Sequence, residues 1–167
     1  MKNKLYAILT TAAMMMIHNN GNAGDTSVLS EGIRGKKWGE VIREAPSKIC
    51  EKNSSGWICK ETLGSAEVGV MYITLKDGRL AGASIVDPTK SSCATIYRAA
   101  ETAWGRGAKA SYEAYASNQP SPTTWASTTA MAMYSSDKES CAITAFNLGL
   151  IGDLKAEDNA ALKSNGL

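Results

Sequence analysis

Val68-Gly-Val-Met-Tyr-Ile-Thr-Leu75 and Leu80-Ala-Gly-Ala-Ser-Ile-Val86 stand on either side of Lys76-Asp77-Gly78-Arg79. Both flanks are rich in β-branched and aromatic residues, which suit a pleated, half-buried surface. Asp-Gly between two such runs is a strong short-range hairpin signal, because both residues tolerate positive φ. A two-residue turn there sets the register. Leu75 opposes Leu80, Ile73 opposes Gly82 and Met71 opposes Ser84 on one face. Thr74 with Ala81, Tyr72 with Ala83 and Val70 with Ile85 lie on the other. The two faces are similarly apolar, as in a sheet covered on both sides or half-exposed toward a partner.

Upstream, residues 57–63 read as a strand entered through Ser54-Ser55-Gly56. Residues 24–30 are polar and expected to be loose. Over 35–44, Trp38, Val41 and Ile42, followed by Ala45, recur at helical spacing, and Pro46 ends that segment. Downstream, Asp87-Pro88 ends the hairpin. Ser91 or Ser92 is placed to cap a helix over 93–116, with Cys93, Tyr97, Ala100, Trp104, Ala108, Ser111 and Tyr115 along one stripe. Gly105 and Gly107 make a kink or break plausible there, each costing about 1 kcal/mol against Ala. After a loop at 118–122, a second hairpin is expected from strands 123–134 and 141–148 around a turn at 135–140. Residues 153–163 favour a short surface helix. Strands on both sides of one long helix indicate an α+β fold, an antiparallel sheet of about five strands with that helix across one face. No internal repeat at a 20–50-residue period is visible.

The chain has 167 residues, with 44% hydrophobic and 20% charged. That is a globular composition, short for two domains. Its start has three parts: Lys2 and Lys4, an apolar run over 5–17, then a polar segment ending Gly21-Asn22-Ala23. This is the pattern of a secretory signal peptide over 1–23, cleaved after Ala23. A membrane anchor fits less well, since a span needs about 20 apolar residues. The expectation is therefore one mature domain over 24–167, periplasmic or secreted, with no stable membrane insertion. The leader holds the only histidine, His18. Taking its two lysines from the 18 basic residues leaves 16, equal to the 16 acidic ones. A neutral chain without histidine excludes His-based triads, His-ligated zinc and nucleic-acid binding driven by net positive charge.

All four cysteines fall in the mature part. An even count in an exported chain reads as two disulfides. Of three possible pairings, Cys50 with Cys59 and Cys93 with Cys141 is preferred: one short loop and one long-range bridge. A four-cysteine zinc site needs close pairs that this spacing lacks.

Few groups are left for chemistry. Ser135-Ser136-Asp137-Lys138 has the S-x-x-K spacing of a Ser-Lys nucleophile but falls in an expected turn without the helix that would aim the lysine. Glycosidase chemistry needs two carboxylates across a cleft. Glu101 and Glu113 are about 18 Å apart along one helix, so Glu61 or Glu67 would have to face one of them. Met71, Met131 and Met133 offer soft ligands for Cu(I), although methionine commonly fills cores. Arg34, Lys36, Lys37 and Arg43 are offset by Glu31, Glu40 and Glu44, as on a solvated face. Asn53-Ser54-Ser55 matches a glycosylation sequon. No cofactor or metal is expected.

Trp38, Trp57, Trp104 and Trp125 are spread over the chain. Core filling accounts for most such rings, but Trp and Tyr also anchor protein interfaces. The expected function is a non-catalytic binding protein, an inhibitor or immunity protein that blocks a cell-wall-attacking enzyme or a toxin in the envelope. An accessory subunit or ligand-binding module of an envelope assembly is the alternative, and a carboxylate-dependent exported hydrolase the third reading. Candidate partner-binding residues are Ser54, Ser55 and Trp57 in the disulfide loop, Lys76 and Arg79 at the Asp-Gly turn, Trp125, and Asp137 and Lys138 in the second turn.

Overall fold

The computed structural model describes residues 26–109 and 122–164. The leader and residues 110–116 of the expected long helix, Glu113 among them, lie outside them. The described part begins with α1 (Ser27–Glu31) and a small hairpin of β1 (Gly32–Ile33) and β2 (Lys36–Lys37). Then come β3 (Cys50–Asn53), β4 (Gly56–Leu63), β5 (Ala66–Thr74), β6 (Leu80–Asp87) and α2 (Cys93–Trp104). The second half is β7 (Ala108–Lys109), β8 (Thr123–Ala126), β9 (Ala130–Ser136), β10 (Cys141–Asn147) and α3 (Leu148–Ser164).

The fold is α+β and antiparallel, but larger than expected. Among the described residues eight strands form one sheet in the order β3-β4-β5-β6-β10-β9-β8-β7. Two meanders of four strands, each followed by a helix, meet along β6 and β10. This topological repeat has no counterpart in a sequence period, because only the strand pairing is shared.

The alternation of side chains explains the core. On one face Val70, Ile85, Ile143 and Tyr134 form a row across β5, β6, β10 and β9, and Tyr72, Ala83, Ala145, Ala132 and Trp125 form the next. Helix α2 covers this face with Cys93, Ile96, Ala100 and Trp104. The opposite face carries Met71, Ser84, Thr144 and Met133 in register. There the Ser84 and Thr144 hydroxyls share a buried 2.9 Å hydrogen bond.

The central hairpin keeps the expected register at Ile73–Gly82, Met71–Ser84, Tyr72–Ala83 and Val70–Ile85, but its turn differs. Thr74 opposes Leu80, so Ala81 is an extra residue and Leu75 pairs with Arg79 instead. The loop is Lys76-Asp77-Gly78, with only Gly78 at positive φ (86°). A three-residue loop ending in a left-handed glycine brings a bulge with it. The Asp77 carboxylate accepts from the Arg79 amide at 3.0 Å, which closes the turn from within.

Other expectations are corrected. Residues 35–44 form no helix. Gly35 and Gly39 adopt φ of 73° and 77°, and Val41 bridges Arg79, while the Gly39 amide donates to the Leu80 carbonyl and the Leu80 amide to the Glu40 carbonyl. The apolar spacing of Trp38, Val41 and Ile42 is that of a chain wrapped on the end of β6. The segment expected to be loose contains α1, whose Leu29 is fully buried and whose carbonyl accepts the Trp38 indole N–H at 2.7 Å. Helix α2 ends at Trp104, before Gly105 at φ 75°. Gly107 packs so closely on Thr123 and Trp125 that a Cβ would fall 2.5 Å from the threonine methyl. The span 123–134 is itself a hairpin, because the Ser127 hydroxyl and amide engage Ala130 across a tight turn. Helix α3 begins at Leu148, earlier than expected, with Asn147 accepting the Gly149 and Leu150 amides.

Neither serine caps α2 with its hydroxyl. Asp87, 2% exposed, does the work from the end of β6. Its carboxylate accepts from the Thr89 amide and hydroxyl, the Ser91 hydroxyl and the Ser92 amide. These donors, the Thr89 hydroxyl first, pull its pKa from 3.8 to about 2. In the acid range the folded chain therefore binds fewer protons here than the unfolded chain, and the contribution of this carboxylate to stability is complete above pH 3.8 and lost as pH falls toward 2. Asp87→Asn is expected to lower Tm at pH 7 and to flatten the fall of Tm between pH 5 and 2 seen in the parent, as read by thermal circular dichroism. An unchanged acid limb would refute this role.

Candidate functional site

Both expected disulfides are present, Cys50–Cys59 and Cys93–Cys141, and no cysteine is free among the described residues. Two disulfides fit an oxidising, exported environment. Among the described residues no helix is long and apolar enough to cross a membrane.

The first bridge clamps the sheet edge. Cys50 lies directly opposite Cys59, and β3 and β4 close through a two-residue turn at Ser54-Ser55. Residues 51–55 are exposed throughout. Gly56 is required by the close approach of strands: at φ 135°, a Cβ would sit 1.9 Å from the Tyr72 carbonyl oxygen. The hairpin carries apolar groups on both faces. Ile49 and Ile58 lie on one, 63% and 47% exposed. On the other, Trp57 is half-buried, with the Lys52 ammonium 5.5 Å from its ring centre. Beside Ile49 is a depression of about 390 Å³, also lined by Ser47, Lys48, Lys60 and Glu67. The two exposed isoleucines were not among the residues singled out from sequence. Ile49 immediately precedes β3 and Ile58 lies in β4, and their exposure follows from β3 being the edge of the sheet.

The remaining candidates separate. Lys76 and Arg79 sit at the far end of the central hairpin. Arg79 pairs with Asp77 at 2.6 Å and with Asp153 at 3.5 Å, and the Lys76 amide donates to Glu157 at 3.0 Å. This turn is occupied by α3. Asp137 holds the second turn by accepting from the Glu139 and Ser140 amides at 2.8 Å, and its carbonyl accepts from Lys90 at 2.7 Å. Lys138 is exposed beside it. Trp125 is a core residue at 2% exposure, its indole N–H bonded to the Gly105 carbonyl at 2.8 Å. It offers no surface to a partner.

Glu61 and Glu67 do not face each other, and Glu113 lies outside the described residues. Glu61 accepts from Arg34 and from the Tyr72 hydroxyl, both at 2.8 Å, and Arg34 also reaches the Thr62 carbonyl at 2.9 Å. Burial, then the Glu61 carboxylate, hold the Tyr72 phenol well above its ordinary pKa. This network ties the β1–β2 hairpin to the sheet. Glu67 is opposite Thr62, which places it on the other face from Glu61. Met71 and Met133 share a face but are three strands apart, about 14 Å at ordinary strand spacing, too far for one copper ion. Among the described residues no three His, Cys, Asp or Glu side chains are grouped to hold a metal. Ser135 is in β9 and Lys138 in the following turn, without the helical geometry of a Ser-Lys pair.

A larger cavity of about 540 Å³ lies on the α2 face, between that helix and the β1–β2 hairpin. Comparison with protein-family models, curated proteins and solved structures finds no match.

Proposed function

We propose that this is an exported, non-catalytic binding protein that inhibits an enzyme or toxin acting in the cell envelope, and that the clamped β3–β4 hairpin is its contact element. The observation that carries the reading is the pair Ile49 and Ile58, exposed on a disulfide-closed edge. Large apolar side chains on a rigid projecting element suit interface anchors, and a loop already closed loses little freedom on binding. Ser54 and Ser55 form the tip, and Trp57 with Lys52 supports it from behind. The turns at Lys76-Arg79 and Asp137-Lys138 rank below it, since Arg79 pairs with Asp77 and Asp153, Asp137 closes its own turn, and neither turn carries a large exposed apolar side chain.

The test begins with capture of a partner from envelope extract by the exported protein, followed by titration of the partner's activity. Stoichiometric loss of that activity is expected. Ile58→Arg should then weaken binding about thirtyfold, equivalent to about 2 kcal/mol, while Lys138→Ala leaves it unchanged. A partner inhibited equally by the parent and by Ile49→Arg and Ile58→Arg variants would move the contact to another surface. Substrate turnover by the isolated protein would reject the non-catalytic reading.

A further inference from the structure

The cavity under α2 has the size of a small-molecule site. Its floor is Ile85 and Ile143 of the sheet, and its wall includes Ala99 and Ala103 of α2. Those alanines leave the space open, since a longer side chain at either would enter it. No buried side-chain nitrogen or oxygen among the described residues lacks a partner. The interior therefore asks for no polar group and suits an alkyl chain.

The mouth is different. It carries Glu31, Arg34, Lys36 and Lys37. Arg34 is neutralised by Glu61 at 2.8 Å. Lys36 reaches Glu40 only at 3.9 Å, with both side chains at least one-third exposed, so that pair is weak. Lys37 is exposed and makes no ion pair among the described residues. Arg34 and Lys36 thus each have a carboxylate partner, and the Lys37 ammonium is the lining cation left to meet an anion.

We propose that this cavity binds a single-chain amphiphile with a monoanionic head, of the fatty-acid class. The chain lies on Ile85 and Ile143 and the carboxylate meets Lys37 at the mouth. The proposal is independent of the hairpin reading, because the cavity shares neither Ile49 nor Ile58. Decanoate and decanol, titrated calorimetrically into the exported protein, separate chain from head. Saturable 1:1 binding of decanoate is expected. Ala99→Leu, or Ala103→Leu if the first variant loses its native circular dichroism, should weaken it at least tenfold. Lys37→Glu should weaken decanoate severalfold and leave decanol unchanged. Absence of saturable decanoate binding, full binding by a folded cavity-filling variant, or equal effects of Lys37→Glu on both probes would each overturn the proposal.

Discussion

Removing the Cys93–Cys141 bridge by the paired change to alanine should lower unfolding free energy by about 4 kcal/mol, against about 2.5 kcal/mol for removing Cys50–Cys59. The difference comes from the chain closed in each case: 48 residues separate the first pair and nine the second. A longer closed loop removes more freedom from the unfolded ensemble. The long bridge has a second role in the native state. It fastens the first turn of α2 to the start of β10, directly opposite Asp87 on β6. Its loss therefore loosens the point where the two four-strand halves and the helix meet, whereas the short bridge clamps only an edge. Urea unfolding of the two double variants at constant m-value checks the ranking. A smaller loss for Cys93→Ala/Cys141→Ala than for Cys50→Ala/Cys59→Ala would contradict the assignment.

Trp125→Ala is expected to cost about 3–5 kcal/mol, the range for emptying a buried aromatic site. That is a large fraction of the about 5–15 kcal/mol that keeps an ordinary domain folded. Trp125 meets Trp104 edge-on with ring centres 5.7 Å apart and Tyr97 at 6.0 Å. Gly107 lies against the same indole, so neighbouring backbone and rings have little room to collapse into the space left behind. Truncation also leaves the Gly105 carbonyl without its indole donor. Trp125→Phe should recover most of the packing but not that hydrogen bond, leaving a residual loss of roughly 1–2 kcal/mol. Chemical denaturation gives both values, and near-ultraviolet circular dichroism reports the ring cluster. A near-neutral Trp125→Ala would mean that the ring is not a core element.

The candidate site was partly legible before the fold was seen. Cysteine spacing and an Asn-Ser-Ser-Gly turn mark Cys50 to Cys59 as a closed loop, and the structure makes that loop an edge hairpin. Ile49 and Ile58 were not legible, because an exposed isoleucine on a strand has the same local signature as a buried one. Only the strand order places β3 at the edge. The cavity was equally hidden: Arg34, Lys36 and Lys37 read as a solvated basic face, and Ala99 and Ala103 as a packing surface for α2. Their common cavity depends on the β1–β2 hairpin folding back over the helix.

Local chemistry determined the antiparallel pairing of β5 with β6, the helix start at Cys93, the two disulfides and the α+β class. Alternation, turn residues and cysteine count act over a few residues or through a single covalent choice. Tertiary structure decided the number of strands, the end of α2 and the fate of each tryptophan. Gly105 and Gly107 permit either a kink or a stop, and the stop is selected by Trp125, 20 residues from the carbonyl it bonds. Residues 35–44 have helical spacing, yet Leu80 offers their backbone a strand partner and the glycines can adopt the left-handed turns this needs. In both places the local preferences were nearly balanced, and contacts distant in sequence supplied the difference.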